Sequence, residues 1–285
     1  MRVLVTGADG QLARSIACCV SSVGEDEYLF ADKQELDITD REAVRRYVSD
    51  CKIDIIVNCA AYTDVERAEE DERGAELLNA TAVGYLAEAA KECNALLIHI
   101  STDYIFMGGC CGLLTEESYP QPINAYGRTK LAGEEAVKAS GCHHIILRTA
   151  WLYSEYGRNF VKTMMRLTLE REEIRVVSDQ LGTPTYAVDL ARAIVAIISK
   201  RNFREGTYHY TNIGECSWWQ FACEIARLAG HNNCKVIPCT TADYPTKARR
   251  PMNAVLDKTK FLRTFEIEIP GWRESLKKCI DELQA

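Results

Sequence analysis

A doubly wound α/β parallel sheet, carrying a smaller α/β lobe built mainly from the second half of the chain, is the fold this sequence predicts. Three observations predict it. Short apolar runs alternate with amphipathic stretches through the first half, the pattern of repeated βαβ units. A glycine turn at Gly7 and Gly10 follows the first apolar run directly. The runs are continuous rather than alternating, which suits strands covered on both faces.

Taken in order, 2–6 reads as the first strand and 11–20 as the helix after the glycine turn. A second strand covers 28–31, a helix 40–48, and the run IDIIVN a third strand over 53–58. A helix over 81–92 leads to a strand over 95–100, and a helix over 125–139 to a strand over 144–147. Beyond Arg148 the rhythm is irregular: helix 189–199, strand 207–211, a helix over 217–229 with Ser217 as its N-cap, and a terminal helix over 271–283. The expected division is a core of 1–148, rejoined by about 174–200, and a discontinuous lobe within 149–285. There is no internal repeat, low-complexity tract or long linker.

With 47% hydrophobic and 26% charged residues the chain reads as an ordinary globular protein with a large core. A net charge of -7 leaves no basic surplus to neutralise phosphates, which argues against a nucleic-acid partner. No apolar stretch is long enough to span a bilayer, so no membrane is expected. The opening residues Met1-Arg2-Val3-Leu4-Val5-Thr6-Gly7 lack the pattern of a signal peptide, which places the protein in the cytoplasm. The 13 cysteines are scattered, with adjacent pairs at Cys18-Cys19 and Cys110-Cys111, and no CxxC or Cys/His spacing suits zinc. They read as reduced thiols, and no metal is expected.

The chemistry concentrates in three places. Thr6-Gly7-Ala8-Asp9-Gly10-Gln11-Leu12-Ala13 joins the first strand to the first helix, where close backbone approach and free helix N–H groups suit a dinucleotide diphosphate. Its form is GxxGxxA, with Ala13 where a third glycine is usual. Asp32 ends the second strand, where a carboxylate can hold a ribose 2′-OH, but the adjacent Lys33 suits a 2′-phosphate equally well. NADPH and NADH therefore both remain open. Tyr126 and Lys130 form a YxxxK pair that shares one helix face. A nearby ammonium is expected to favour the phenolate. Ser101 and Thr102 end a buried strand at the carboxyl edge of the sheet, where crevices of such folds lie.

These residues resemble the extended short-chain dehydrogenase/reductases, and within them the dTDP-4-dehydrorhamnose reductases. The resemblance runs through TGADGQLA (6–13), LDITD (36–40), NCAAYTDVERAE (58–69), STDYIF (101–106), NAYGRTKLAGE (124–134), RTAWLY (148–153), NFV (159–161), DQLGTPT (179–185), Ser-Trp (217–218) and RRP (249–251). It implies a Rossmann-like core with a substrate-binding lobe, and reduction of a dTDP-4-keto-6-deoxyhexose by NADPH or NADH. Tyr126, Lys130 and Thr102 would be catalytic. Gly7, Gly10, Gln11 and Leu12 would lie along the cofactor backbone, and Asp32, Asp37 and Ile38 along its adenosine half. Ala61, Tyr62, Thr63 and Ile100 would face the nicotinamide half, with Lys130 on the ribose. Val65, Thr102, Asp103 and Trp151 would contact the sugar, and Arg250, beside Arg249, would suit a substrate diphosphate.

Three departures accompany the resemblance. Besides Ala13, Met107 stands where relatives commonly have an acidic residue, so the loop MGGCCGL (107–113) is expected to differ. Ser15 stands where some relatives use a glutamate in a metal-bridged dimer, so monomer and homodimer both remain open. The alternatives are a related nucleotide-sugar epimerase or dehydratase that recycles bound NAD, and a non-catalytic subunit resembling the regulatory beta subunit of methionine adenosyltransferase.

Overall fold

The computed structural model describes residues 1–20, 26–109 and 112–285. The expectations for Cys110 and Cys111 lie outside the described residues.

The first half builds the sheet. Strand β1 (Arg2–Thr6) feeds helix α1 (Gln11–Val20), then β2 (Glu27–Ala31), α2 (Arg41–Asp50) and β3 (Ile55–Asn58). Short helices α3 (Val65–Ala68) and α4 (Glu72–Glu76) follow, and a π-helical turn at Leu77–Thr81 runs into α5 (Ala82–Glu92). Strand β4 (Leu96–Thr102), a 3-10 turn at Asp103–Ile105, α6 (Ala125–Ser140) and β5 (His144–Thr149) complete it. The helix expected at 40–48 starts one residue later, because the Asp40 side chain is its N-cap and accepts from Ala43 N.

The second half alternates between lobe and core. It comprises β6 (Leu152–Tyr153), α7 (Phe160–Glu170), β7 (Glu173–Val177), β8 (Leu181–Gly182), β9 (Thr185–Tyr186) and α8 (Ala187–Ser199). Then come β10 (Gly206–His209), β11 (Cys216–Ser217), α9 (Trp218–Ala229), β12 (Lys235–Cys239), α10 (Thr259–Phe265) and α11 (Trp272–Gln284). Helix α9 begins with a full capping box between Ser217 and Gln220, as its N-cap residue suggested. The irregular stretch after Arg148 therefore holds regular elements that the sequence reading passed over: α7, β7, β12 and α10.

The main sheet is parallel with strand order β10-β5-β4-β3-β1-β2. Strand direction of growth reverses between β1 and β3, which opens a crevice at their carboxyl ends. Successive side chains of a strand point to opposite faces, and here both faces are covered. Val3 and Val5 pack towards Leu12 and Ile16 of α1 and Leu190, Ile194 and Ile198 of α8. Leu4, Ile56, Leu97 and Ile146 pack towards Val44 and Val48 of α2 and Leu86 and Ala90 of α5. Phe261 and Phe265 of α10 join the first of these faces beside Tyr208 and Tyr210. A separate apolar cluster, including Val161, Phe221, Trp272 and Leu276, holds the lobe together, where β7 and β12 pair in parallel.

Strand β4 runs two residues beyond the expected 95–100, because Ser101 and Thr102 pair in register with Arg148 and Thr149 of β5. No disulfide joins the described cysteines. No helix among the described residues is long and apolar enough to cross a membrane.

Candidate active site

The turn from β1 to α1 requires glycine at its first position. Gly7 has φ +69, and a Cβ there would stand 2.9 Å from Ala60 Cα and N. The Gly10 N–H donates to Gly7 O at 2.9 Å, which tightens the loop before the helix. Ala13, in the place of a third glycine, is fully buried against the sheet and leaves the free N–H groups of the α1 N-terminus in place.

Two adjoining cavities meet at this turn. One of about 450 Å³ is lined by Gly7, Asp32, Lys33, Asp37 and Ile38. The other, of about 580 Å³, is lined by Gln11, Leu12, Ile100, Thr102, Tyr126 and Lys130, among others. Asp9, Gly10, Cys59 and Ala61 line both. In the smaller cavity Asp32 Oδ1 accepts from the backbone of Gln34 and Glu35, while Lys33 pairs with Asp37 at 3.8 Å. Two hydrogen bonds from Thr39 hold the Asp37 carboxyl below the usual carboxylate range.

Ala61, Thr63 and Val65 line the larger cavity beside these residues, but Tyr62 is not among its walls. The Tyr62 ring packs with Ala68, Ala75, Ala125 and Tyr126, and its backbone is held from both sides by the Asn79 amide. Gln11 Oε1 accepts from Ser154 and Asn159, which ties the lobe to the first turn of α1. The Ser15 hydroxyl donates to Gln11 O at 2.8 Å, and its side chain is buried.

Helix α6 presents the Tyr126–Lys130 pair. Its N-cap, Asn124, accepts from Gly127 N at 2.7 Å and donates through Nδ2 to Arg249 O at 2.8 Å. One side chain thus fixes both the start of α6 and the RRP segment. Gly127 is needed for close approach, since a Cβ there would run into the Tyr104 carbonyl oxygen. The approach brings the rings of Tyr104 and Tyr126 to 5.5 Å, edge to face. Asn124→Ala is expected to lower stability by about 1 kcal/mol, the usual cost of a lost N-cap. Urea unfolding checks this, and an unchanged midpoint would remove the cap from the account.

Lys130 is buried and donates to Ile100 O at 2.6 Å. Burial lowers its ammonium to about 8, against the opposing pull of Glu134. Tyr126 does not show the expected lowering. Burial pushes its phenol above the ordinary tyrosine value, and a hydrogen bond with Thr102 only partly offsets that. The physical reason is desolvation of the phenolate, which outweighs nearby partners. A phenol held protonated is the acid form, ready to give a proton. Asp103 is buried as well, and desolvation raises its carboxyl to about 7.

Beneath the pair lies a buried polar network that the sequence reading did not single out. Glu134, one turn after Lys130, accepts from Ser101 at 2.6 Å and from Arg148 Nε and Nη2 at 2.9 and 2.7 Å. The i, i+4 spacing from Lys130 was the available signal. On the far side of the cleft, Arg250 donates to Tyr104 Oη at 3.1 Å and Glu66 Oε1 at 2.8 Å. Trp151 has φ +48 and stacks on Trp218 with centroids 3.5 Å apart. Arg250 and Trp218 also line a neighbouring cavity of about 370 Å³ in the lobe.

The sequence matches the family described as the RmlD substrate binding domain over residues 1–285. It is 41% identical to the dTDP-4-dehydrorhamnose reductase of Aggregatibacter actinomycetemcomitans, covering 97% of each chain. Among solved structures, a dTDP-4-dehydrorhamnose reductase from Clostridium acetobutylicum is 44% identical, with TM-score 0.95 and full coverage of both chains. The Bacillus anthracis dTDP-4-dehydrorhamnose reductase in complex with NADP is 40% identical, with TM-score 0.92 over 99% of each chain.

Proposed function

Because the chain belongs to the RmlD substrate binding domain family, we propose that it is an NAD(P)H-dependent oxidoreductase reducing the C4 keto group of dTDP-4-dehydrorhamnose to give dTDP-L-rhamnose. One observation carries the reading. Thr102, Tyr126 and Lys130 line the same cavity as the glycine turn at the α1 N-terminus.

The residues fit a dinucleotide: the glycine turn leaves the N–H groups of the α1 N-terminus free, and two adjoining cavities meet at it. When bound, the reduced nicotinamide supplies the hydride. Gly10, Gln11 and Leu12 hold the diphosphate against the helix end. Asp32, Asp37 and Ile38 hold the adenosine half, and Ala61, Thr63 and Ile100 the other half. Asp32 and Lys33 sit together on the smaller cavity, in keeping with use of NADPH or NADH. Tyr126 donates its proton to the oxygen at C4 while Thr102 hydrogen-bonds that oxygen. Lys130 steadies the ribose and the positive potential beneath Tyr126. Val65, Asp103 and Trp151 contact the sugar, and Arg250, already oriented by Tyr104 and Glu66, meets the diphosphate.

The chain divides into a dinucleotide core over 1–148, with returning segments, and a lobe drawn from 149–285. The protein acts in the cytoplasm as a monomer or homodimer. The buried hydroxyl of Ser15 supports no metal bridge at that position.

The test is absorbance at the reduced-nicotinamide band with the 4-keto sugar nucleotide and each cofactor in turn. Stoichiometric loss of NADPH or NADH, with dTDP-rhamnose formed, is the expected result. Tightly held cofactor without net consumption would turn the assignment to an epimerase or dehydratase. A stoichiometric enzyme partner and no reductase activity would turn it to a binding subunit.

A further inference from the structure

We propose that Asp103 is a positioning residue that sets the direction of the Thr102 hydrogen bond. Ionised, it takes the only hydrogen of the Thr102 hydroxyl. Protonated, it donates to Thr102 Oγ and releases that hydrogen to the substrate oxygen. The proposal rests on the reading of Thr102 as a donor to the C4 oxygen.

The geometry around Thr102 leaves little choice. A threonine hydroxyl has one hydrogen and two lone pairs. Here Thr102 Oγ accepts from Tyr104 N at 3.2 Å and donates to Asp103 Oδ1 at 3.1 Å. With the carboxylate ionised, the hydroxyl hydrogen is engaged and is not offered to the substrate oxygen. Asp103 is 1% exposed, and its Oδ2 has no hydrogen-bond partner among the described residues. Yet it lines the 580 Å³ cavity.

Hydrogen bonds from Thr102 and from the backbone N–H groups of Asp103 and Tyr104 favour the ionised carboxyl, but burial outweighs them. On its own turn stands Tyr104, and from α6 come Tyr126 and Lys130. Lys130 donates to Ile100 O. Arg250 comes from the segment before Pro251, with Glu66 of α3 beside it, and its guanidinium is engaged with Tyr104 and Glu66. No cation pairs with Asp103 among the described residues. Burial therefore dominates and sets the carboxyl near 7, where both states are populated at physiological pH.

The sign follows. Turnover should be on a plateau below pH 7 and fall about tenfold per pH unit above it, because the protonated carboxyl is the productive form. In Asp103→Asn the amide N–H donates to Thr102 at every pH. Whatever the altered sugar contact costs in absolute turnover, that variant should show a kcat flat from about pH 6 to 9, without the descending limb. An unchanged descending limb in the variant would overturn the proposal. So would a loss of turnover by the same factor at every pH with the limb retained, which would make Asp103 a sugar contact alone. A second readout does not depend on turnover: infrared difference spectra should show a protonated carboxylic acid band that vanishes around pH 7 and is missing in Asp103→Asn. Absence of the band in the wild-type protein at pH 6 would equally overturn the proposal. If the wild-type protein consumes no reduced cofactor at any pH, the assigned reaction fails, and the infrared titration still decides the state of Asp103.

Discussion

Tyr126→Phe should bind the dinucleotide as the wild type does and lose about 10²–10⁴-fold in kcat, the usual contribution of a positioned general acid. The ring of Tyr126 packs against Tyr104 and the Tyr62 cluster, and phenylalanine keeps those contacts. Only the hydroxyl is lost, and with it the proton that burial keeps on the phenol. Cofactor titration by fluorescence and steady-state kinetics separate the two effects. Turnover within a few-fold of wild type would remove Tyr126 from the mechanism, and weakened cofactor binding alone would reduce it to a wall of the cleft.

The second large effect is on stability. Arg148 and Glu134 face each other with side chains 3% and 0% exposed, joined by two hydrogen bonds. Removing one partner of such a pair leaves an uncompensated buried charge, at about 3–5 kcal/mol. Arg148→Met is therefore expected to lower the melting temperature by on the order of 10 °C, at about 2–4 °C per kcal/mol for a chain of this size. Glu134→Leu combined with Arg148→Met should be more stable than Arg148→Met alone, because the buried carboxylate is then not left without its guanidinium. Calorimetry of the two variants decides it: a double variant less stable than the single one would show that the residues serve packing and not charge compensation.

The parts of the molecule that were readable in advance are those whose periodicity and burial agree. Strand β1 and helix α1 were bounded correctly because a continuous apolar run, two glycines and an amphipathic helix follow one another without interruption. Helical spacing put Tyr126 and Lys130 on one face, but only the glycine turn and Thr102 read beside them singled the pair out. Helix α7 was not, because its pattern is partly inverted: Thr168 is buried while Leu169 is 71% exposed. Strands β7 and β12 lie far apart in sequence and, among the described residues, pair only with each other, and Pro238 within β12 argues against a strand unless it lies at an edge.

In the site, residue type and spacing indicated which groups gather, but not their protonation or direction. The ammonium of Lys130 was expected to act on Tyr126, yet it donates to a strand carbonyl, and desolvation governs the phenol. Tyr62 has its backbone held on both sides by Asn79 and packs on the small cluster that also holds Tyr126. Such outcomes depend on tertiary burial, which spacing does not encode.

The strand order also has a consequence for biosynthesis. Strand β10 covers the outer edge of β5, and it is made more than fifty residues after β5. Until it emerges from the ribosome, the nascent chain carries five strands of a parallel sheet with one long unpaired flank, a template for adhesion to other chains. The face that α8 covers is likewise bare until residues 187–199 have been made. Translation that stalls before residue 206 would leave the growing product dependent on chaperones. A shortened chain ending there would be an aggregation hazard rather than a working dinucleotide-binding fragment.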